Sequence, residues 1–227
     1  MVTAHPLDNP AMAALLGPQA HLAERHGVAL RYPADVSPFI ALPDQPGADA
    51  WADLAKLTSP AGIVATAGVA AEPGPGWHVV MRIDGVQLVA DKAVGAHDAD
   101  AVPLGPADVP EMLDLAARTR PGPFLPRTIE FGGYLGIRRD GVLAAMAGER
   151  LRPPGWTEIS AVCTAPEFRG QGLATRLTLA VTAAIRDRGD TPFLHAAADN
   201  VSAIRLYSAL GFGLRRQAEF VVVRAPS

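Results

Sequence analysis

The chain has a single cysteine, Cys163, in 227 residues, so no internal disulfide can form and nothing points to an oxidising compartment. No window approaches the roughly 18 consecutive apolar residues of a membrane-spanning helix. The opening MVTAHPLDNPAMAALLGPQAH lacks the basic start and apolar core of a secretory signal. A formal net charge of −3 gives no general attraction to nucleic acid or to an anionic membrane. The six histidines are scattered without ligand spacing, so no metal site is expected. No internal repeat is visible. These absences leave a cytoplasmic protein acting on small molecules or peptides as the expectation.

What is present suffices for a real core. Apolar residues make up 49% of the chain, and the 22 glycines and 21 prolines stay short of a disordered composition. The pattern predicts a helix over residues 8–26, with Asn9-Pro10 as its start signal, and then short mixed elements. PFIAL, AGIVATAG and WHVVMRI read as strands, and GADAWADLAKL as a helix. Residues 1–84 are therefore assigned to an accessory region, or to a degenerate partial copy of the C-terminal unit. Residues 85–227 are assigned to the main domain, opening with the strand GVQLVAD. Next comes a helix in DVPEMLDLAARTR, with Asp108 and Glu111 at capping-box spacing. Asp140-Gly141 marks a hairpin. WTEISAVCT is a strand, residues 171–188 a helix striped by Leu173, Leu177, Val181 and Ala184, and TPFLHAA a further strand. DNVSAIRLYSALGF is a helix closed by Gly211, and AEFVVVRA a last strand that could pair with a second copy in a homodimer. The fold class is α+β, a mixed sheet flanked by helices.

One stretch speaks of chemistry. In RGQGLA, residues 169–174, two glycines precede a long helix, whose first amides and dipole favour an anion of phosphate size. A loop that merely needs positive φ twice is the bland alternative. A P-loop would end in Gly-Lys-Ser/Thr, which is missing here. A dinucleotide fingerprint needs a third small residue where Thr175 stands, although Asp199 could touch a ribose, so this reading is weakened and still open.

The segment AVCTAPEFRGQGLATRL followed by DNVSAIRLYSALGF resembles the GNAT acetyltransferase superfamily, whose Arg/Gln-x-x-Gly-x-Gly/Ala loop is matched at every defined position. The likeness covers roughly residues 86–227, is densest over 156–213, and is closest to the glycine N-acyltransferase-like branch. It implies a mixed sheet that binds acetyl-CoA, or another short acyl-CoA, as co-substrate. The diphosphate would lie on the amides of Gly170, Gln171, Gly172, Leu173 and Ala174, with Arg169 adding a fixed charge. The pantetheine arm would lie along Val162, Cys163 and Thr164, with Asn200 and Ser202 as further contacts. Tyr207 resembles the family's catalytic acid, and Glu158, eleven residues before Arg169, its carboxylate base. The alternative for Glu158 is an ion pair with Arg138 or Arg139, and for Tyr207 a core position. Phe124, Glu130, Phe131 and Tyr134 are expected to line the acceptor pocket. Cys163 and His195 read more readily as packed core residues than as a nucleophile or ligand.

The implied activity is N-acyl transfer to a primary amine, in a small molecule or a peptide, by direct attack in a ternary complex. A catalytically silent CoA-binding sensor and an NAD(P)-dependent oxidoreductase are the rivals.

Overall fold

The computed structural model describes residues 5–68 and 72–227. The accessory region assigned to 1–84 therefore includes seven positions outside the described residues. In chain order the elements are α1 (Pro10–Leu15), β1 (Glu24–His26), β2 (Ala29–Arg31), β3 (Phe39–Ala41), α2 (Ala48–Leu57), β4 (Ile63–Thr66), β5 (His78–Val89), β6 (Val102–Leu104) and α3 (Val109–Thr119). They continue as β7 (Tyr134–Arg139), β8 (Val142–Glu149), β9 (Trp156–Thr164), α4 (Leu173–Asp187), β10 (Thr191–Ala197), α5 (Val201–Ala209) and β11 (Gly213–Arg224).

The eleven strands among the described residues form one sheet, in the order β1-β2-β3-β4-β11-β5-β10-β9-β8-β7-β6. Its neighbours are antiparallel except for β3 with β4 and β9 with β10. Each parallel pair is joined by a helix, α2 in the first case and α4 in the second, as parallel strands require. The short β3–α2–β4 unit thus repeats on a smaller scale the connection that builds the main cleft.

Several sequence expectations change at this level. The helix over 8–26 ends after one and a half turns, because Gly17-Pro18 stops it, and β1 begins at Glu24. WHVVMRI and GVQLVAD are not separate strands: β5 runs straight through Asp84-Gly85, and the boundary expected between residues 84 and 85 falls inside it. β5 pairs with β11 along its length and with β10 from Gly85 to Val89. Asp108 does not cap α3 through its side chain. Its carboxylate accepts instead from the Gly105 amide at 2.8 Å and from Arg138 at 2.6 Å.

Helix α4 packs Leu173, Leu177, Val181 and Ile185 onto the sheet, so the stripe closes on Ile185 rather than Ala184. Each such buried side chain contributes about 1.5–3 kcal/mol. Helix α3 covers the opposite face through Met112, Leu115 and Ala116, against Ala161, Cys163 and Met146. These two helices fix β9 from both sides, and β9 carries the site.

Candidate active site

Strands β9 and β10 pair only from Trp156↔Thr191 to Glu158↔Phe193 and then part. Beyond that vertex β9 is bulged. Met146 faces Cys163 and Gly148 faces Ser160, so three residues of β9 span two of β8, and Ala161 takes φ 53°. Strict alternation along β9, as the sequence pattern suggested, therefore fails at Ala161. Ile159 packs beneath α4, whereas Cys163 packs beneath α3. Because the Ala165 amide donates to Ala144 and Cys163 pairs with Met146, the backbone groups of Val162 and Thr164 turn away from β8, toward the open splay.

That opening continues into a cleft of about 440 Å³ between β9, the loop before α4, and α5. Val162, Cys163, Thr164, Arg169, Gly170 and Gly172 line one side of it. Leu173, Ala174, Asn200, Ser202 and Tyr207 also reach it. Gln171 is exposed beside the cleft without lining it.

The loop has the form an anion needs. Gly170 and Gly172 hold φ 77° and 72°, which an L side chain resists, and a Cβ at either would meet nothing within 4 Å. Gly172 caps α4 without a side-chain bond. Among the described residues no oxygen accepts from the amides of residues 170–175; the first helical bond runs from Arg176 to Gly172. The Thr164 hydroxyl is likewise buried without a partner among the described residues. A cradle rimmed by free donors fits a diphosphate. A void lined with carbonyls would not.

Tyr207 lies in the last turn of α5, with its ring against Phe212 at 6.1 Å and 8% of its surface accessible. Burial, and secondarily the Cys163 thiol, push its pKa up to about 12. The phenol is protonated at neutral pH and faces the cleft. Asn200 caps α5, its Oδ1 accepting from the Ala203 amide at 3.1 Å and from Ser202 at 3.0 Å. Cys163 is buried, and burial holds its thiol at about 11, so no thiolate is available for covalent chemistry.

Glu158 does not have the surroundings of a base. It is fully buried, and Arg150 grips both its oxygens at 2.8 and 2.7 Å while His195 Nδ1 lies 2.6 Å from Oε1. Burial alone would raise its pKa, but the Arg150 guanidinium and then His195 bring it down to about 2. Such a carboxylate has no affinity for an ammonium proton at neutral pH. The pairing with Arg138 or Arg139 is also absent: Arg138 bridges Asp108 and Glu111, and Arg139 reaches Asp100. Gln87 fixes the histidine tautomer. Its Oε1 accepts from Arg215 at 2.7 Å and its Nε2 donates to the Leu7 carbonyl at 2.9 Å, so Nε2 also donates to His195 Nε2 at 3.1 Å. With Nε2 of the ring facing Gln87, the Nδ1 proton of His195 points at Glu158 Oε1.

The aromatic residues expected to line the acceptor pocket are buried side chains outside the cleft, and of them only Phe124 reaches a separate groove along α3. Phe124 meets Tyr134 edge-on at 5.6 Å, and Phe131 meets Tyr32 at 4.9 Å, all four side chains buried. Glu130 is held by Arg127 through two bonds of 2.6 and 2.8 Å. None of these four predicted residues lines the cleft. Sequence reasoning missed Thr119 and Arg120, which reach the cleft from the end of α3 and sit some forty residues upstream with no motif to mark them.

The geometry has counterparts among known proteins. Residues 134–221 match the FR47-like protein family. A solved structure of a GNAT-family protein from Novosphingobium aromaticivorans shares 42% identity over 99% of this chain and 100% of that one, with a TM-score of 0.90. The chain belongs to the GNAT family. A GCN5-related N-acetyltransferase from Kribbella flavida, 20% identical over 99% of this chain and 97% of its own, has the same fold at a TM-score of 0.64. A mycothiol acetyltransferase from Nocardiopsis dassonvillei is 34% identical over 93 residues, which cover 37% of this chain and 28% of that relative. The match therefore leaves most of that protein without a counterpart. These likenesses carry GNAT membership and not the glycine N-acyltransferase-like branch. Membership supports acyl transfer from an acyl-CoA. Among the described residues no group of three or more His, Cys, Asp and Glu could hold a metal, and no helix is long and apolar enough to cross a membrane.

Proposed function

We propose that the protein transfers an acetyl or other short acyl group from acyl-CoA to a primary amine by direct attack in a ternary complex. The observation that carries this reading is the splay of β9 from β10 ending on free loop amides, with a protonated phenol facing the same cleft. The amides of residues 170–175 hold the diphosphate, and Arg169 adds charge at the rim. The Val162 amide, turned into the splay, donates to the thioester oxygen as it gains negative charge. Tyr207 gives its proton to the sulfur as the carbon–sulfur bond breaks, which leaves the free thiol; the attacking nitrogen releases one proton as the new carbon–nitrogen bond becomes the amide, and the Tyr207 phenolate is reprotonated from solvent. The amine arrives as the free base or loses its proton to solvent, because Glu158 is committed to Arg150 and His195. Most of the acceleration then comes from holding two reactants in line.

Thermal shift with acetyl-CoA, CoA and NADH tests the ligand class. A CoA derivative at about a hundred times its Kd adds about 2.7 kcal/mol, which raises Tm by about 5–10 °C. Thiol release on adding a panel of amines then separates an enzyme from a sensor. A chain stabilised by NADH and by no CoA derivative would overturn this function.

A further inference from the structure

Helix α3 ends on Arg120 in the left-handed conformation, φ 52° and ψ 56°, its amide donating to the Ala116 carbonyl at 2.8 Å. Glycine takes this position most easily, since it has no Cβ to crowd the turn. An arginine held here at a steric cost needs a reason. Its neighbour Arg118 is paired with Glu167 and Asp114, but among the described residues the Arg120 side chain has no acceptor.

Arg120 also stands where two cavities meet. One is the cleft already described; the other is a groove of about 530 Å³ along α3. That groove is lined by Leu113, Ala116, Ala117, Gly122 and Phe124, and Arg120 is the one charged residue in its wall. An apolar trough with a single free cation at its junction with the reaction cleft suits an apolar body carrying one anionic group. The diphosphate already has the donors of residues 170–175. Resting on the acyl-transfer reading above, we propose that Arg120 and the α3 groove form the acceptor subsite. The acceptor is an amine that also bears a carboxylate and an apolar side chain, with the carboxylate on Arg120. A second source of anionic charge, a phosphate of the coenzyme, is distinguished by the test.

The experiment uses the full chain. Calorimetry first measures CoA binding to the wild type and to Arg120→Gly. The CoA-loaded proteins are then titrated with N-acetyl-leucine and with N-acetyl-leucinamide, which differ only in the carboxylate. In the wild type the acid should bind at least 10-fold more tightly than the amide, the range for one charged hydrogen bond. In Arg120→Gly the two should fall within about 2-fold of each other, with Kd for CoA changed by less than about 2-fold. Glycine should also raise Tm by about 2 °C as the left-handed strain is released, so lost affinity cannot be ascribed to misfolding. Equal affinities for acid and amide in the wild type, or binding of neither, would overturn the subsite while leaving CoA chemistry intact. A 10-fold loss of CoA affinity in Arg120→Gly would reassign the arginine to a coenzyme phosphate and also overturn it. No CoA binding by the wild type would remove the acyl-transfer reading and this subsite together.

Discussion

Tyr207 and Glu158, the two side chains the sequence marks as acid and base, have distinct signatures on substitution. Tyr207 reaches the cleft with its phenol held at about 12, a proton donor at every working pH. Tyr207→Phe should lower kcat by about 10²–10³-fold, within the usual range for a general acid, and leave Kd for CoA within about 2-fold. Stopped-flow thiol release set against calorimetry makes that split visible, and an unchanged kcat would remove Tyr207 from the mechanism. Glu158 predicts the opposite pattern. Removing its charge strands Arg150 in the interior, and Glu158→Gln should cost about 3–5 kcal/mol of stability, read as a fall in Tm of about 10 °C or more. Since its folded pKa lies at about 2, below the ordinary 4.5, the stabilisation is complete above pH 4.5 and is lost as pH falls toward 2. Circular dichroism over that window should show the wild type losing stability and the variant losing much less. A Glu158→Gln protein with full stability and a shifted pH–rate profile would return the residue to the role of base.

At the scale of elements, the proposed coenzyme site is the junction of a strand that leaves its neighbour and a helix whose first turn is uncapped. The splay needs the bulge at Ala161, and the vertex is keyed by the Glu158–His195 bond, which sits where pairing between β9 and β10 stops. The cradle needs left-handed backbone at both glycines of the loop. Gly172→Val should strain the φ 72° position by about 1–2 kcal/mol and put a branched side chain into the cradle. CoA binding should fall below detection in calorimetry while Tm drops by only about 2–8 °C. Tight CoA binding by that variant would show that the diphosphate lies elsewhere.

On the scale of the whole molecule, the N-terminal strands β1 to β4 belong to the same sheet as the rest. β5 lies between β10 and β11, paired on both edges from Gly85 to Val89. Its Gln87 bonds the Leu7 carbonyl and His195, and Arg215 on β11 reaches Asp8 at 2.6 Å. Gln19 accepts from Tyr32 and donates to the Arg150 carbonyl, both at 2.7 Å. We propose on these grounds that the chain folds as one cooperative unit. A fragment spanning residues 85–227 would lose half of β5 and expose the apolar flank of β11, so it should be insoluble or lack a cooperative thermal transition. A soluble fragment with a sharp transition and CoA affinity would restore the two-part division.

The sequence by itself determined the family, the position of the anion loop, and the elements from the Asp140-Gly141 hairpin to the last strand. Those features are local: glycines at positive φ, a helix with its apolar residues on one stripe, a cap at Asn200. Tertiary structure alone decided what surrounds them. Glu158 has the spacing of a base, but Arg150 and His195 meet it through strand register, and no one-dimensional pattern encodes that meeting. Phe131 and Tyr134 became core because the N-terminal half and α3 close over them, while Phe124 was left in the wall of the α3 groove. Arg120 faces the cleft because a helix from one end of the sheet happens to finish there. Short-range spacing fixes backbone conformation, while the protonation and exposure of a side chain depend on neighbours brought from far along the chain.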